Sequence, residues 1–160
     1  MKSVRMDTNQ KSIAELIKAA HAELHDGSTE GYLAFWRDEL GDREERLTRS
    51  DKLIELAESQ LKPDDLDGAV ELWSAFKTGL GCRNIVDGNR KAFHYMNLVA
   101  EAGNTPAQEM LLVDYLHGLN GLPVDKERFL YWCNRAMLGG SKLASKELKK
   151  YKKNNLSKGG

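Results

Sequence analysis

Residues 91–107 read KAFHYMNLVAEAGNTPA, and residues 128–144 read RFLYWCNRAMLGGSKLA. Set 37 positions apart, Lys91, Tyr95, Val99, Gly103 and Ala107 fall opposite Arg128, Trp132, Ala136, Gly140 and Ala144. A base, an aromatic, a small aliphatic, a glycine and an alanine thus recur in one order, which is the signature of stacked helical repeats. Upstream, Trp73-x-x-Phe76-x-x-Gly79-x-Gly81 parallels Leu112-x-x-Tyr115-x-x-Gly118-x-x-Gly121, with one more residue in the later loop. The unit is helix, glycine loop, helix, glycine, helix. Glycine just past a helix takes the left-handed conformation that reverses the chain. Alanine at a crossing lets two helices approach closely, and the aromatic fills the space between paired helices. One hairpin cannot bury its apolar stripe alone, so hairpins stack into an array.

Helix signals extend outward from this core in both directions. Ser12-Ile13-Ala14-Glu15 is a capping box, followed by Ile13, Leu16, Ile17, Ala20 and Leu24 on one face and by Gly27. Tyr32, Leu33, Phe35, Trp36 and Leu40 predict a second short helix ending at Gly41. A third is expected over 42–61, although its opening GDREERLTRSD is polar enough to be a connector. Pro63-Asp64-Asp65 caps a fourth, with Leu66, Ala69, Val70, Trp73 and Phe76 as its apolar face. A fifth is expected over 89–102. Thr105 is read as the N-cap of a sixth, with Pro106 first in the helix and Gln108 three on. Asp125 caps a seventh and Ser141 a last one, carrying Leu143, Ala144, Leu148 and Tyr151. The expected organisation is a helical cap or degenerate repeats over 1–62, repeats with a closing helix over 63–151, and a flexible basic tail over 152–160.

The pattern Lys91-Ala92-x-x-Tyr95-x-x-x-Val99-Ala100-x-x-Gly103-x-x-x-Ala107 resembles the second helix of a Sel-one-like repeat, a branch of the tetratricopeptide superfamily. Leu111-x-x-x-Tyr115-x-x-Gly118 and Asp125-x-x-Arg128-x-x-x-Trp132-x-x-x-Ala136-x-x-x-Gly140 continue the likeness, which covers about 67–151. It implies an all-α, right-handed solenoid of seven to eight helices stacked as antiparallel pairs. It also implies an adaptor or scaffold role, or that of a bacterial immunity protein that neutralises an effector, with partners bound on a face lined by first helices. The chain departs from the family at Leu112 and Trp73, where a small residue is usual. Met137 replaces a second alanine, and Phe129 replaces the alanine beside Arg128. These larger side chains predict wider helix spacing.

Composition narrows the function classes. The 160 residues are 41% hydrophobic and 30% charged with a formal net charge of zero, so no global field draws the chain toward nucleic acid or acidic lipid. Acids outnumber bases between positions 30 and 71, whereas Lys142, Lys146, Lys149, Lys150, Lys152, Lys153 and Lys158 crowd the end. Lys142, Lys146, Lys149, Lys150 and Lys153 span several sides of the last helix and read as a solvated, solubilising end-cap. No apolar run approaches the roughly 20 residues that span a bilayer. No apolar stretch follows Lys2 and Arg5, so a cytoplasmic location is expected, or a periplasmic one if a leader has been removed. Cys82 and Cys133 lack the spacing of a zinc site or redox motif and read as reduced thiols.

The search for chemistry returns isolated groups. His21 and His25 stand one turn apart, a spacing that chelates metal, but two histidines in a last helical turn also favour the negative end of the helix dipole. Gly79-Leu80-Gly81-Cys82-Arg83 follows a helix and lacks the lysine of a phosphate loop. The reading is therefore a non-catalytic protein-binding module without metal or cofactor. Its partner-binding residues are Val70, Glu71, Ser74 and Lys77 on the fourth helix and Glu109, Val113, Asp114 and His117 on the sixth. Two alternatives stand beside it. One is a hydrolase of peptide or cell-wall substrates, drawing on His94, His117, Asp114 and Cys82. The other is a homodimer pairing apolar surface around Tyr32 and Trp36.

Overall fold

Helix formation is driven by side-chain caps at almost every start. In the computed structural model, which describes residues 11–39 and 41–159, Ser12, Ser28, Asp65, Asn104, Asp125 and Ser141 each accept a backbone N–H of the first turn that follows. Among the described residues there are eight helices and no strand: α1 (Ile13–Leu24), α2 (Thr29–Trp36), α3 (Arg43–Gln60), α4 (Leu66–Lys77), α5 (Ile85–Glu101), α6 (Thr105–His117), α7 (Lys126–Leu138) and α8 (Lys142–Leu156). None is long and apolar enough to cross a membrane. Lys2, Arg5 and Leu40 lie outside the described residues.

The chain forms two compact units that divide within α5, after Ala92. In the first unit α1 and α3 run antiparallel. Arg46, in the first turn of α3, donates from Nε to the Glu23 carbonyl at 2.6 Å and from a terminal nitrogen to the Leu24 carbonyl at 3.3 Å, at the far end of α1. These are the carbonyls a helix end leaves without intrahelical donors. The polar opening of α3 is thus helix rather than connector: its Arg46 and Arg49 also face Asp42 and Glu45 one turn back, at 3.8 and 3.9 Å. α4 lies beside α1 with the two starts together. A Cβ on Gly68 would sit 2.7 Å from Ile13 Cδ1, so glycine permits that approach. After α4, Gly81 takes a φ of +66° and packs against Ile54 of α3. Arg83 then reaches back to Asp51 at 2.9 Å and Glu44 at 3.2 Å.

The second unit repeats this arrangement with different materials. Gly118 closes α6 in the left-handed conformation, and the Asp125 N–H donates to the Tyr115 carbonyl at 2.9 Å, turning α7 back along α6. Tyr115, Phe129, Trp132, Cys133 and Ala136 are buried, with Leu111 and Leu112. Phe129, near the start of α7, meets Tyr151, near the end of α8, with ring centres 5.1 Å apart, so these helices are antiparallel too. α8 returns beside α6 with the same direction: Ser141, its N-cap, donates its hydroxyl proton to Glu109 in the first half of α6.

Several boundaries and faces differ from the sequence reading. The cap of α6 is Asn104, whose carboxamide accepts the Ala107 N–H at 2.9 Å, while Gln108 turns inward and donates to the Ala100 carbonyl. α5 begins at Ile85, four residues earlier than expected, after Asn84 accepts the Asp87 N–H. α4 buries Ala69, Leu72, Ala75 and Phe76, leaving Leu66 exposed and Val70 and Trp73 half-buried. An apolar residue on almost every side of that helix lets periodicity choose the wrong stripe. α2 buries only Phe35; Tyr32, Leu33 and Trp36 are exposed. α8 runs to Leu156, five residues into the stretch expected to be a tail. Phe129 and Leu112, both larger than the repeat pattern prefers, are buried, whereas Met137 projects outward.

Candidate partner-binding site

Two helices 37 residues apart in register, α6 and α8, flank a groove of about 390 Å3 in the second unit. Val113, Leu116 and His117 line it from α6; Glu147, Lys150, Tyr151 and Asn154 line it from α8. The repeat spacing sets Val113 opposite Lys150 and His117 opposite Asn154 in the sequence. The groove therefore brings together two pairs of positions that the 37-residue spacing sets opposite one another. Its floor is apolar, from Val113, Leu116 and Tyr151, and its rim carries an imidazole, an amide and the Glu147–Lys150 pair at 3.1 Å.

The predicted residues on α6 separate accordingly. Val113 and His117 line the groove, one turn apart on the same face. Asp114, about 100° further round the helix, is only 3% exposed; it accepts from the Asn120 carboxamide at 2.9 Å and so holds the turn after α6. Glu109 is half-buried and holds the Ser141 cap. Both acids therefore take part in hydrogen bonds within the unit. In the first unit Val70 is half-buried, and Glu71, Ser74 and Lys77 are exposed along α4. Lys150, Tyr151 and Asn154 of the groove lie on α8, which the sequence reads as a closing helix. The register that pairs Ala107 with Ala144 already marks α8 as the counterpart of α6.

The remaining candidates resolve as follows. Cys82 belongs to the first unit and His94, Asp114 and His117 to the second. Burial pushes the Cys82 thiol up, away from the thiolate that a nucleophile requires. Cys133 is pushed up to about 11, by burial first and then by Glu147. His21 departs from the dipole reading: burial, and then neighbouring His25, hold its imidazole below the ordinary value, so the neutral form is favoured. His25 accepts the Gly27 N–H on Nδ1 at 3.1 Å and meets the Tyr32 ring edge-on. Among the described residues no group of three or more potential metal ligands comes together. The lysines of α8 fall on fewer sides than expected: Lys142, Lys146, Lys149 and Lys150, at helical spacing, line one shallow depression of about 620 Å3.

No family model, curated protein or solved structure matches this chain.

Proposed function

We propose that the chain is a non-catalytic protein-binding module built as a right-handed, Sel-one-like solenoid, which holds a segment of a partner protein between successive first helices. The observation that carries this reading is the α6–α8 groove, whose walls include two pairs of positions 37 residues apart, Val113 with Lys150 and His117 with Asn154. An apolar floor with a few polar groups on its rim suits a peptide segment: burial of side chains supplies affinity and the rim supplies register. The pairing of α1 with α3, with α4 beside α1, follows the same order as α6, α7 and α8. Residues 13–60 on this view are a degenerate repeat with α2 inserted, rather than a cap. The exposed residues of α4, Glu71, Ser74 and Lys77, take the corresponding place in the first unit. A client of an adaptor and an effector neutralised by an immunity-type protein are both protein partners, and the captured chain tells them apart.

The test places a photo-crosslinking amino acid at His117 or Asn154, with Lys126 on α7 as the control, in extract of the source cells. A single partner captured from the two groove positions and not from Lys126 is expected. With that partner purified, Val113→Arg should weaken binding at least tenfold, about 1.4 kcal/mol, with the helical melt retained. Equal capture from all three positions, or unchanged affinity in Val113→Arg, would remove the groove from the reading.

A further inference from the structure

The formal charge of zero conceals a division between the two units. Residues 1–92 hold 14 Lys and Arg against 18 Asp and Glu; residues 93–160 hold 10 against 6. On each unit the excess collects beside exposed apolar side chains. In the first, Tyr32, Leu33 and Trp36 of α2 stand 47%, 41% and 51% exposed. Of these, Leu33 lines a depression of about 510 Å3 together with Asp26, Glu30 and Glu39, with Arg37 its single base, 3.6 Å from Glu39. In the second, Leu138 is 90% exposed, with Met137 and Leu143 also exposed. Beside these, Lys142, Lys146, Lys149 and Lys150 line the α8 depression without a carboxylate. Among the described residues, Lys142, Lys146 and Lys149 form no ion pair.

From this match we infer that the α8 face of one copy of the chain docks on the α2 face of a second copy. Lysine ammonium groups meet the carboxylates of Asp26, Glu30 and Glu39, while Met137, Leu138 and Leu143 cover the aromatic patch of α2. Apolar groups rimmed by charge of one sign mark an interaction surface, and here both halves of the complement are carried by the same chain. A polyanion is the weaker occupant. The α8 face has no arginine and no exposed aromatic on which a base stacks, and its leucines require an apolar counterpart. Because the two faces differ, the contact is heterologous: a pair keeps one free α2 face, on one copy, and one free α8 face, on the other, and addition continues unless a ring closes.

The contact shares only Lys150 with the α6–α8 groove, and the variants spare it. Sedimentation velocity of the full chain at low salt should show mass rising with concentration past that of a dimer. The association constant should fall at least tenfold at half-molar salt, because rim charges are screened. Lys146→Glu/Lys149→Glu and Glu30→Lys/Glu39→Lys should each be monomeric with unchanged circular dichroism. An equimolar mixture of the two should associate again, since each retains the native face its partner needs. Glu30→Gln/Glu39→Gln, which adds no like charge, should weaken association in the same direction. Wild-type protein that stays monomeric at every concentration, whether or not it retains an added oligonucleotide, would overturn the inference. So would association that survives in both charge-reversed variants alone, or a mixture that stays monomeric.

Discussion

The two units place their helices in the same order and hold them by different physics. α6 and α7 close around Tyr115, Phe129 and Trp132, all buried, in the manner of an aromatic-cored hairpin. The buried side chains of α3 are Ser50, Ile54 and Ala57. What holds α3 to α1 includes a guanidinium on open helix carbonyls, together with Arg49 on Glu23 at 2.9 Å. The comparison shows that one arrangement of helices does not require one kind of core: directed hydrogen bonds at the helix ends supplement a narrow apolar seam.

The sharpest way to break this comparison is to remove the aromatic core. Trp132→Ala should cost about 3–5 kcal/mol. Hydrogen exchange should show the loss across α6–α8, and retained protection there would mean that the aromatic is not what closes the second unit. Next in size is the polar clamp of the first unit. Arg46→Leu removes two charge-assisted hydrogen bonds and should cost about 1.5–3 kcal/mol in urea unfolding, with early exchange at the C-terminal end of α1. A change within error would return the first unit to an ordinary apolar seam. A smaller effect of opposite sign is expected at Ser50, whose buried hydroxyl has no hydrogen-bond partner. Ser50→Ala should raise stability by about 1 kcal/mol, and a loss of stability would point to a bond that the geometry does not contain.

The smallest effect concerns pH. His21 binds its proton less readily in the folded chain, so below about pH 6.5 the unfolded chain takes up more protons. The contribution is therefore present above that value and is lost as pH falls below it. His21→Gln should flatten the decline in melting temperature between about pH 7.5 and 5.5. A slope identical to wild type would show that burial does not perturb this imidazole.

Legibility in the sequence followed the same divide. Aromatics, alanines and glycines at fixed intervals announce the second unit because apolar packing has a period. The pairing of α1 with α3 has none, since Arg46 acts through a reach of 22 or 23 residues that no local pattern encodes. Caps are legible where serine or aspartate stands alone, as at Ser12, Asp125 and Ser141. At Asn104-Thr105 two capping residues compete, and the reading chose the hydroxyl over the carboxamide that the backbone uses. On α6, Glu109 and Asp114 are engaged by Ser141 and Asn120 within the unit, contacts that no local pattern encodes. The groove instead takes Val113 and His117, whose counterparts on α8 were recoverable only by carrying the repeat one helix further.

The burial of the three tryptophans has a practical consequence. Trp36 is half in water, Trp73 is half-buried, and Trp132 is enclosed with an indole N–H that finds no acceptor. An indole in an apolar, unbonded setting emits to the blue of one in water. Trp132 therefore supplies the short-wavelength edge of the native spectrum and Trp36 the long-wavelength edge. Melting of the second unit should register as a red shift of the blue edge, whereas covering of α2 should register as a blue shift of the red edge. The chain thus carries separate optical reporters for a folding event in one unit and a docking event on the other.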